Sequence, residues 1–302
     1  MNKKLDKCIY FNLDNNAFRG RIVRLKNTFG DIFKRREYPE NVSMAVAETS
    51  VLGTMFASLL KFNGLFTLQI QGDGPISVLV CDVTSAGKVR ACAKYDLEAM
   101  QKAQELRKTQ GELEEAPFWL GKGVLIFTVD QGEGTELYQG VVDLQGKTLA
   151  DCAMRYFKNS EQIDTYLKLF KRKTKNGWET AGVLLQKMPT NGGNNAADDE
   201  KINELWNEDK ILLDSLKDEE IFSDSLSEEE ILFRLFHEHE VRVIKESEYF
   251  FGCRCNREKL LNTLSAMSED DINEMVENGK ITATCGFCGE KYYFEKGELI
   301  KH

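Results

Sequence analysis

The chain has 302 residues, of which 42% are hydrophobic, enough to bury a substantial core divided between two or three domains. Its formal net charge of −9 argues against a general nucleic-acid-binding protein, because phosphate contacts need clustered Lys and Arg. Eight cysteines are too sparse over this length for a secreted disulfide scaffold, so metal or redox use of the thiols is favoured.

No stretch of the sequence approaches the roughly 20 apolar residues of a membrane helix, and the first residues lack the apolar segment of a secretory signal. We therefore expect a soluble protein of the cytoplasm that does not associate with membranes. The reducing cytosol would keep its cysteines as thiols or metal ligands.

The first 190 residues predict an α+β domain with a mostly antiparallel sheet. Runs of strand formers separated by glycine-containing turns predict consecutive hairpins. These strands are expected at 64–71 with 76–83, at 124–129 with 137–144, and in one further strand that ends near Lys94. Helical periodicity is found at 41–60, at 96–107 and after Thr148.

Glycine-rich stretches at 72–74 and 121–123 raise the question of a nucleotide site. Neither has phosphate-loop spacing or opens a helix, so turn formation explains them better. The histidines are His237, His239 and His302, and no serine lies in a G-x-S-x-G elbow, so no catalytic triad can be proposed. His237-Glu238-His239-Glu240 could supply metal ligands, but residues two apart do not share a helix face, and a helix-to-strand junction explains them as readily. We expect neither nucleotide binding nor enzymatic activity.

Residues 198–248 contain 18 acidic and 6 basic side chains, a net charge of −12 that leaves +3 for the rest of the chain. A boundary is predicted just before them, at 190–197, where two glycines occur without apolar periodicity. Apolar residues recur at helical spacing in the acidic region, and the capping box of Ser227 and Glu230 predicts a helix from about Glu228 to His237. The simplest interpretation is a solvated helical connector, which its acidity makes marginally stable.

Four of the eight cysteines form two tight pairs, Cys253-x-Cys255 and, after 29 residues, Cys285-x-x-Cys288. Zinc binds four thiolates tetrahedrally, and two local pairs supply that geometry while closing the loop between them. The intervening segment carries a helix signal with Ser268 as its cap. A unit of about fifty residues buries little core, so metal binding would largely hold it folded. The spacing predicts one structural zinc ion, Zn²⁺.

Three functions are compatible with this cysteine tetrad. The first is a passive zinc module that stabilises the tail or docks a partner, although a nucleic-acid ribbon is disfavoured because residues 250–302 have 7 basic and 9 acidic side chains. The second is a thiol oxidoreductase, disfavoured because Gly289 and the aromatic run after it predict a turn into a strand rather than a helix.

The third function is a redox switch. An oxidant would convert zinc-bound thiolates to disulfides, eject the metal and release the neighbouring acidic connector. Exposed apolar surface could then bind unfolded proteins. The connector side chains that release would expose include Trp206, Phe222, Phe233 and Phe236.

Several segments, together with the two cysteine pairs, carry a family resemblance over nearly the whole chain. They are Phe18-Arg19-Gly20-Arg21, Gly72-Asp73-Gly74-Pro75, 128–132 with 138–140, 160–163, 182–189 and 235–239. Through them the chain resembles the redox-regulated heat-shock chaperones of about thirty-three kilodaltons, a bacterial family of zinc-dependent holdases. The cysteine pattern is the most specific part of this resemblance.

The resemblance implies that Cys253, Cys255, Cys285 and Cys288 ligate zinc in the reduced, inactive monomer. It implies the disulfides Cys253–Cys255 and Cys285–Cys288 after oxidation, together with a linker that unfolds. The oxidised homodimer would bind unfolding client proteins without ATP. The cysteines left without a role, which we expect to be buried thiols of the N-terminal domain, are Cys8, Cys81, Cys92 and Cys152.

The expected organisation is an N-terminal α+β core domain at 1–190, a metastable acidic helical linker at 191–249 and a zinc-binding redox-switch domain at 250–302. A passive structural zinc module in a protein-interaction protein is the alternative.

Overall fold

The computed structural model describes residues 6–33, 36–110, 115–132, 134–175, 177–189, 196–277 and 279–299. In chain order the strands are β1 Asp6–Leu13, β2 Phe18–Leu25, β3 Leu65–Gly72, β4 Ile76–Thr84, β5 Lys88–Tyr95, β6 Gly123–Asp130, β7 Tyr138–Asp143, β8 Thr165–Thr174, β9 Gly177–Lys187, β10 Arg242–Phe251, β11 Lys280–Thr284 and β12 Lys291–Glu295. The helices are α1 Asn27–Phe33, α2 Glu40–Leu59, α3 Leu97–Gln110, α4 Glu115–Leu120, α5 Leu149–Tyr156, α6 Ala196–Ser215, α7 Asp218–Ile221, α8 Glu228–Leu235, α9 Arg257–Ser265, α10 Glu269–Glu274 and α11 Lys296–Leu299.

The elements predicted for the first 190 residues are present. The hairpins β3–β4 and β6–β7 occupy the predicted strand pairs, and β5 ends one residue after Lys94. Helices α2, α3 and α5 begin where helical periodicity begins in the sequence. The predicted fold class, α+β with a mostly antiparallel sheet and a small C-terminal cysteine-containing unit, is confirmed.

Within the described residues, ten strands form one sheet in the order β7-β6-β3-β4-β5-β10-β1-β2-β9-β8, and β11 pairs with β12 in a separate two-stranded sheet. Neighbouring strands of the large sheet are antiparallel except β10 and β5, which pair in parallel through Phe250 with Lys88 and Phe251 with Val89. The large sheet therefore consists of two antiparallel halves joined at a short seam, and β10 forms one side of that seam.

Helix α2 covers one face of the large sheet and contacts strands of both halves. Contrary to the expectation from the sequence, α2 is long and apolar enough, by length and composition, to cross a membrane. Its most apolar stretch is 78% buried inside the protein, as in the core helix of a folded domain.

The acidic helices α6, α7 and α8 cover the opposite face of the β1-β2-β9-β8 half of the sheet. Strand alternation places Cys8 and Leu184 on the α2 side, and Ile9 and Leu185 on the side of the acidic helices. The expectation of a solvated connector is therefore wrong for the apolar side of these helices. The buried apolar residues of this acidic region are Trp206, Leu213, Leu216, Ile221, Phe222, Ile231, Leu232 and Phe236.

Basic side chains of β2 and β8 hold the acidic helices on the sheet. The Arg24 guanidinium forms a largely buried ion pair with Glu228 at 2.7 Å. The Lys168 ammonium donates to the carbonyl oxygens of Asp214 and Leu216, both at 2.8 Å, at the C-terminal end of α6. A cation at this position complements the negative end of the helix dipole. The acidic charge of the linker is thus matched locally by basic groups of the sheet.

The capping box predicted at the start of α8 is present. Ser227 Oγ accepts a hydrogen bond from the Glu230 amide at 3.1 Å, and the Glu230 carboxylate accepts one from the Ser227 amide at 2.7 Å. The helix ends at Leu235, two residues before the predicted end. Beyond it the Phe236 ring is fully buried, whereas Phe233 is 49% exposed and lies outside the covered face. Residues 190–195 of the predicted boundary lie outside the described residues, and α6 begins at Ala196.

Replacing Phe236 with Ala should lower the free energy that holds the acidic helices on the sheet by ~3–5 kcal/mol, because the change deletes a buried ring and leaves a cavity. Phe233→Ala is the matched control, and its effect should stay within ~0.5 kcal/mol because this ring is exposed. Hydrogen exchange at the amides of α6 and α8 measures both values. Equal protection of these amides from exchange in the two variants would contradict the burial of Phe236 between the linker and the sheet.

Candidate metal centre

The first cysteine pair follows directly from the end of β10. The Gly252 amide donates to the Val89 carbonyl oxygen at 3.0 Å, which holds the chain against β5. A Cβ at Gly252 would lie 2.7 Å from Cγ of Lys88, so glycine permits this close approach. Cys253 and Cys255 consequently lie beside the first residues of β5.

The second cysteine pair lies in the turn between β11 and β12. The Cys285 amide donates to the Glu290 carbonyl oxygen at 2.8 Å, and the Gly289 amide donates to the Cys285 carbonyl oxygen at 3.0 Å. Gly289 has φ 72°, a conformation that favours glycine. The predicted turn into a strand is therefore present, and it aims Cys285 and Cys288 towards the first pair.

The segment between the pairs folds into α9, α10 and β11 around a small core of Leu264, Ile272, Ile281, Phe294 and Leu299. The predicted cap is present, because Ser268 Oγ accepts from the Asp271 amide at 3.2 Å. Helix α9 and strand β11 were not predicted from the sequence.

The four predicted ligands come together. The Sγ of Cys253 lies 3.4 Å from that of Cys255 and 3.7 Å from that of Cys285, and the Sγ atoms of Cys255 and Cys288 are 3.5 Å apart. All four sulfurs lie within 4.8 Å of one another. Four sulfur atoms bound tetrahedrally at about 2.3 Å from one zinc ion would be about 3.8 Å from one another. The cluster therefore has the size and the donor set of a four-thiolate metal site.

Electrostatics also favour a cation at the centre of the cluster. Burial opposes ionisation of Cys253, but hydrogen bonds from the Cys255 amide, from neighbouring thiols and from Arg90 outweigh it and lower the pKa of Cys253 to about 7. Burial and hydrogen bonds to the other sulfurs raise the pKa of Cys288. Because four thiolates this close repel one another, full ionisation of the cluster needs a bound dication.

Several polar groups around the sulfurs were missed by the sequence analysis. The Tyr292 hydroxyl donates to Cys255 Sγ at 3.2 Å, a bond that raises the pKa of Tyr292 to about 12. Arg90 Nη1 lies 3.8 Å from Cys253 Sγ, and its guanidinium stacks over the Phe287 ring at 3.8 Å. Tyr292 belongs to the aromatic run after Gly289, from which only a strand was predicted, and Arg90 gave no local signal.

Asp82 connects the cysteine cluster to the large sheet. Its nearly buried carboxylate accepts from Arg90 at 2.6 Å and from Arg254 at 3.0 Å, so one acid binds a strand residue and the residue between the first two cysteines. Asp82 and Arg90 are directly opposite each other on β4 and β5. This register could not be read from the sequence, because strand spacing alone does not fix which residues pair.

The remaining cysteines lie outside the cluster. Cys8, Cys81 and Cys152 are buried, as expected, whereas Cys92 is only half-buried. Burial raises the pKa of Cys8 to about 12 and the pKa values of Cys92 and Cys152 to about 11. These thiols are therefore poor nucleophiles at neutral pH.

The glycine-rich stretches form paired turns, as predicted. The Gly74 amide donates to the Leu120 carbonyl oxygen at 2.9 Å, and the Asp73 amide donates to the Lys122 carbonyl oxygen at 3.0 Å. His237 and His239 lie in the junction between α8 and β10, also as predicted.

Comparison with known proteins agrees with this architecture. The family model described as Hsp33 protein matches residues 6–295. Proteins named 33 kDa chaperonin are similar: that of Caulobacter vibrioides is 33% identical over 93% of this chain and 92% of its own, and that of Pseudomonas fluorescens is 33% identical over 96% of this chain and 91% of its own.

A crystal structure titled 33 kDa chaperonin (heat shock protein 33 homolog) from Thermotoga maritima is similar in fold. Its TM-score is 0.75 at 22% sequence identity, over 97% of this chain and 96% of that one. A third protein named 33 kDa chaperonin, from Actinobacillus pleuropneumoniae, is 33% identical over 99% of this chain and 94% of its own. Because the family model spans nearly the entire sequence and the relatives match end to end, the chain belongs to the Hsp33 family of chaperones.

Proposed function

We propose that this chaperone is a redox-regulated, ATP-independent holdase that binds unfolding proteins and prevents their aggregation under oxidative stress. The observation that carries the proposal is the position of the acidic helices, which cover an apolar sheet face and lead through β10 directly into the cysteine cluster. Reduced protein would hold Zn²⁺ at Cys253, Cys255, Cys285 and Cys288 and keep that face covered.

The covered sheet face is the proposed client-binding surface. Its apolar side chains are contiguous on β1, β2, β8 and β9, and release of the acidic helices would expose them together with the helices' own apolar residues. Large exposed apolar patches bind other apolar surfaces, and unfolding proteins present such surfaces. The sheet residues of this surface are Ile9, Phe11, Leu13, Phe18, Ile22, Phe170, Ala181, Val183 and Leu185.

β10 is the proposed link between the cysteine cluster and the acidic helices that cover the sheet. Its first five residues are exposed, and only Phe250 and Phe251 pair with β5. The contacts of Asp82 with Arg90 and Arg254 add a second attachment next to the cysteines. Loss of the metal-held fold would weaken this end of β10, and the acidic helices would lose their anchor at the same time.

The proposed oxidation is balanced within each cysteine pair. Cys253 with Cys255, and Cys285 with Cys288, each give up two electrons as an S–S bond forms. A peroxide accepts two electrons as its O–O bond breaks and takes up protons to leave water. The paired sulfurs have lost their negative charge and no longer hold a dication.

The remaining parts of the proposal follow the family resemblance. The reduced form would be a monomer and the oxidised form a homodimer in the cytoplasm, with no enzymatic activity and no nucleotide. The units would be the core domain 1–190, the metastable linker 191–249 and the zinc-binding switch domain 250–302.

The central prediction concerns activation by oxidation. Reduced protein should contain one zinc ion per chain and suppress client aggregation weakly, whereas peroxide with mild heat should release the zinc and increase suppression, because the cover is lost. A zinc-release assay run in parallel with light scattering of an aggregating client measures both events. Cys152→Ser, which alters a buried thiol outside the cluster, should behave like the unaltered protein.

Equal suppression before and after zinc release would rule out the switch. Oxidation that unfolds the tail without increasing suppression would instead support a passive zinc module.

The attachment through Asp82 can be tested separately. Asp82→Asn removes the charge that binds both arginines and should weaken the hold on the end of β10 by about 2–3 kcal/mol. Hydrogen exchange at residues 248–256 should rise accordingly. Glu246 lies on β10 as well and forms an exposed ion pair with Lys7 of β1. Glu246→Gln is therefore the control, and it should change this exchange little. An equal effect of the two substitutions would remove Asp82 from the proposed link.

The hydroxyl of Tyr292 should strengthen metal binding. Tyr292→Phe removes the hydrogen bond to Cys255 Sγ and should reduce zinc affinity about tenfold, as loss of an outer hydrogen bond to a ligand commonly does. Tyr293→Phe is the adjacent control, because this side chain is 60% exposed. Competition with a chromogenic chelator measures both affinities, and indistinguishable values would contradict a role for the Tyr292 hydroxyl.

A further inference from the structure

A second cluster of potential metal ligands lies at the opposite end of β10 from the cysteines. It consists of Asp14 in the turn between β1 and β2, Asp209 in α6 and His239 in the junction between α8 and β10. One ligand atom from each residue lies within 4.8 Å of the other two. The cluster therefore joins the sheet to two separate parts of the acidic linker.

His239 and Asp14 form a hydrogen bond, and the donor atoms of the cluster are close enough together to bind one small ion. His239 Nδ1 lies 2.8 Å from Asp14 Oδ2 and 3.6 Å from Asp209 Oδ1. Donor atoms at about 2.0–2.2 Å from a first-row metal ion are separated by about 2.9 Å in an octahedral site and about 3.4 Å in a tetrahedral one. The two observed separations lie close to this range.

Asp209 provides an independent indication of a ligand. Its side chain is 0% exposed, and within the described part of the chain neither of its carboxylate oxygens accepts a hydrogen bond. Buried carboxylates are normally paired or coordinated to a metal, because removing the charge from water is costly. Oδ1 of Asp209 faces the His239 ring nitrogen, and the His239 side chain is itself 3% exposed.

The charge around the cluster favours a cation. The carboxylates of Asp14 and Asp209 face the His239 ring nitrogen, and the exposed Glu208, next to Asp209 in the sequence, adds to the negative potential there. A single imidazole cannot balance the charges of Asp14 and Asp209 when both are ionised, whereas a dication bound between them would neutralise both.

We propose that Asp14, Asp209 and Nδ1 of His239 bind one divalent first-row transition-metal ion, with water in the remaining coordination positions. One imidazole nitrogen and two carboxylates suit Mn²⁺, Fe²⁺ or Zn²⁺ rather than a soft thiolate-seeking ion. The site is distinct from the cysteine cluster in position and in donor type. Metal binding here does not depend on the proposed redox function.

Occupation of the site would fasten the acidic helices to the sheet. The three ligands come from the β1–β2 turn, α6 and the junction after α8, and they separate when the linker leaves the sheet. An ion that binds only the closed arrangement reduces linker opening by the factor 1 + [ion]/Kd, about 100-fold at a hundredfold excess over Kd. Availability of the ion would then set how readily the apolar face is uncovered.

The test uses reduced, full-length protein with zinc already bound by its cysteines, titrated with Mn²⁺ and followed by electron paramagnetic resonance of the free ion. One Mn²⁺ per chain should bind. Asp209→Asn and His239→Gln should each weaken binding at least about tenfold, because each removes a ligand. The matched controls His237→Gln and Asp218→Asn alter exposed residues of the same linker and should leave the affinity unchanged.

A measurement on the unaltered protein does not depend on how the variants fold. Spin-echo modulation from bound Mn²⁺ should show one directly coordinated imidazole nitrogen, and hydrogen exchange of α6 should slow as Mn²⁺ is added. Absence of binding at millimolar Mn²⁺, absence of the nitrogen coupling, or equal affinity in Asp209→Asn and the unaltered protein would each overturn the site. All of these readouts are taken with the cysteine site reduced and zinc-loaded, so failure of the redox switch would leave them unaffected.

Discussion

The packing of α6, α7 and α8 on the β1-β2-β9-β8 face is the contact on which the rest of the structure depends. β9 is buried at every position from Thr180 to Gln186, so both of its faces need cover. α2 covers one face and the acidic helices cover the other. The Phe11 ring shows how close the fit is: a Cβ at Gly20 would lie 2.1 Å from it, and its centroid is 6.2 Å from that of Phe236. Gly20 thus leaves the space that Phe11 needs beneath the linker.

The same contact combines favourable burial with unfavourable charge. The linker carries a net charge of −12 over 198–248, and its carboxylates repel one another whenever the helices are close together. Arg24 and Lys168 relieve part of this repulsion by binding Glu228 and the carbonyl end of α6. Asp209 shows the opposite situation, since burial raises its pKa to about 7 and its oxygens accept no hydrogen bond among the described residues. Burial of apolar side chains and repulsion between carboxylates therefore act in opposite directions at this contact.

The ten-residue strand β10 connects the cluster of Asp14, Asp209 and His239 at one end with the cysteine cluster at the other. His239 precedes the strand and contacts Asp14 and Asp209, whereas Cys253 follows it and joins the four-sulfur cluster. The strand is paired along most of its length with β1 but with β5 only at its last two residues. The junction that carries His239 and the unit that carries the cysteines are therefore connected directly by β10. This connection gives a physical reason why a change at the sulfurs would reach the linker.

The sequence by itself determined the features that depend on chemistry within a few residues. Glycine turns predicted the hairpins, Ser227 with Glu230 predicted the start of α8, and the cysteine spacing identified the four residues that lie together.

The tertiary structure alone decided which distant residues meet. It buries Phe236 and exposes Phe233, brings Arg90 to Cys253 across 163 positions, and brings His239 to Asp14 across 225. Local patterns could not predict these contacts, because they depend on strand register and on which face of the sheet the linker covers. Both are set by the packing of the whole chain, whereas turns, caps and metal-ligand spacing are set by the backbone and side chains of neighbouring residues.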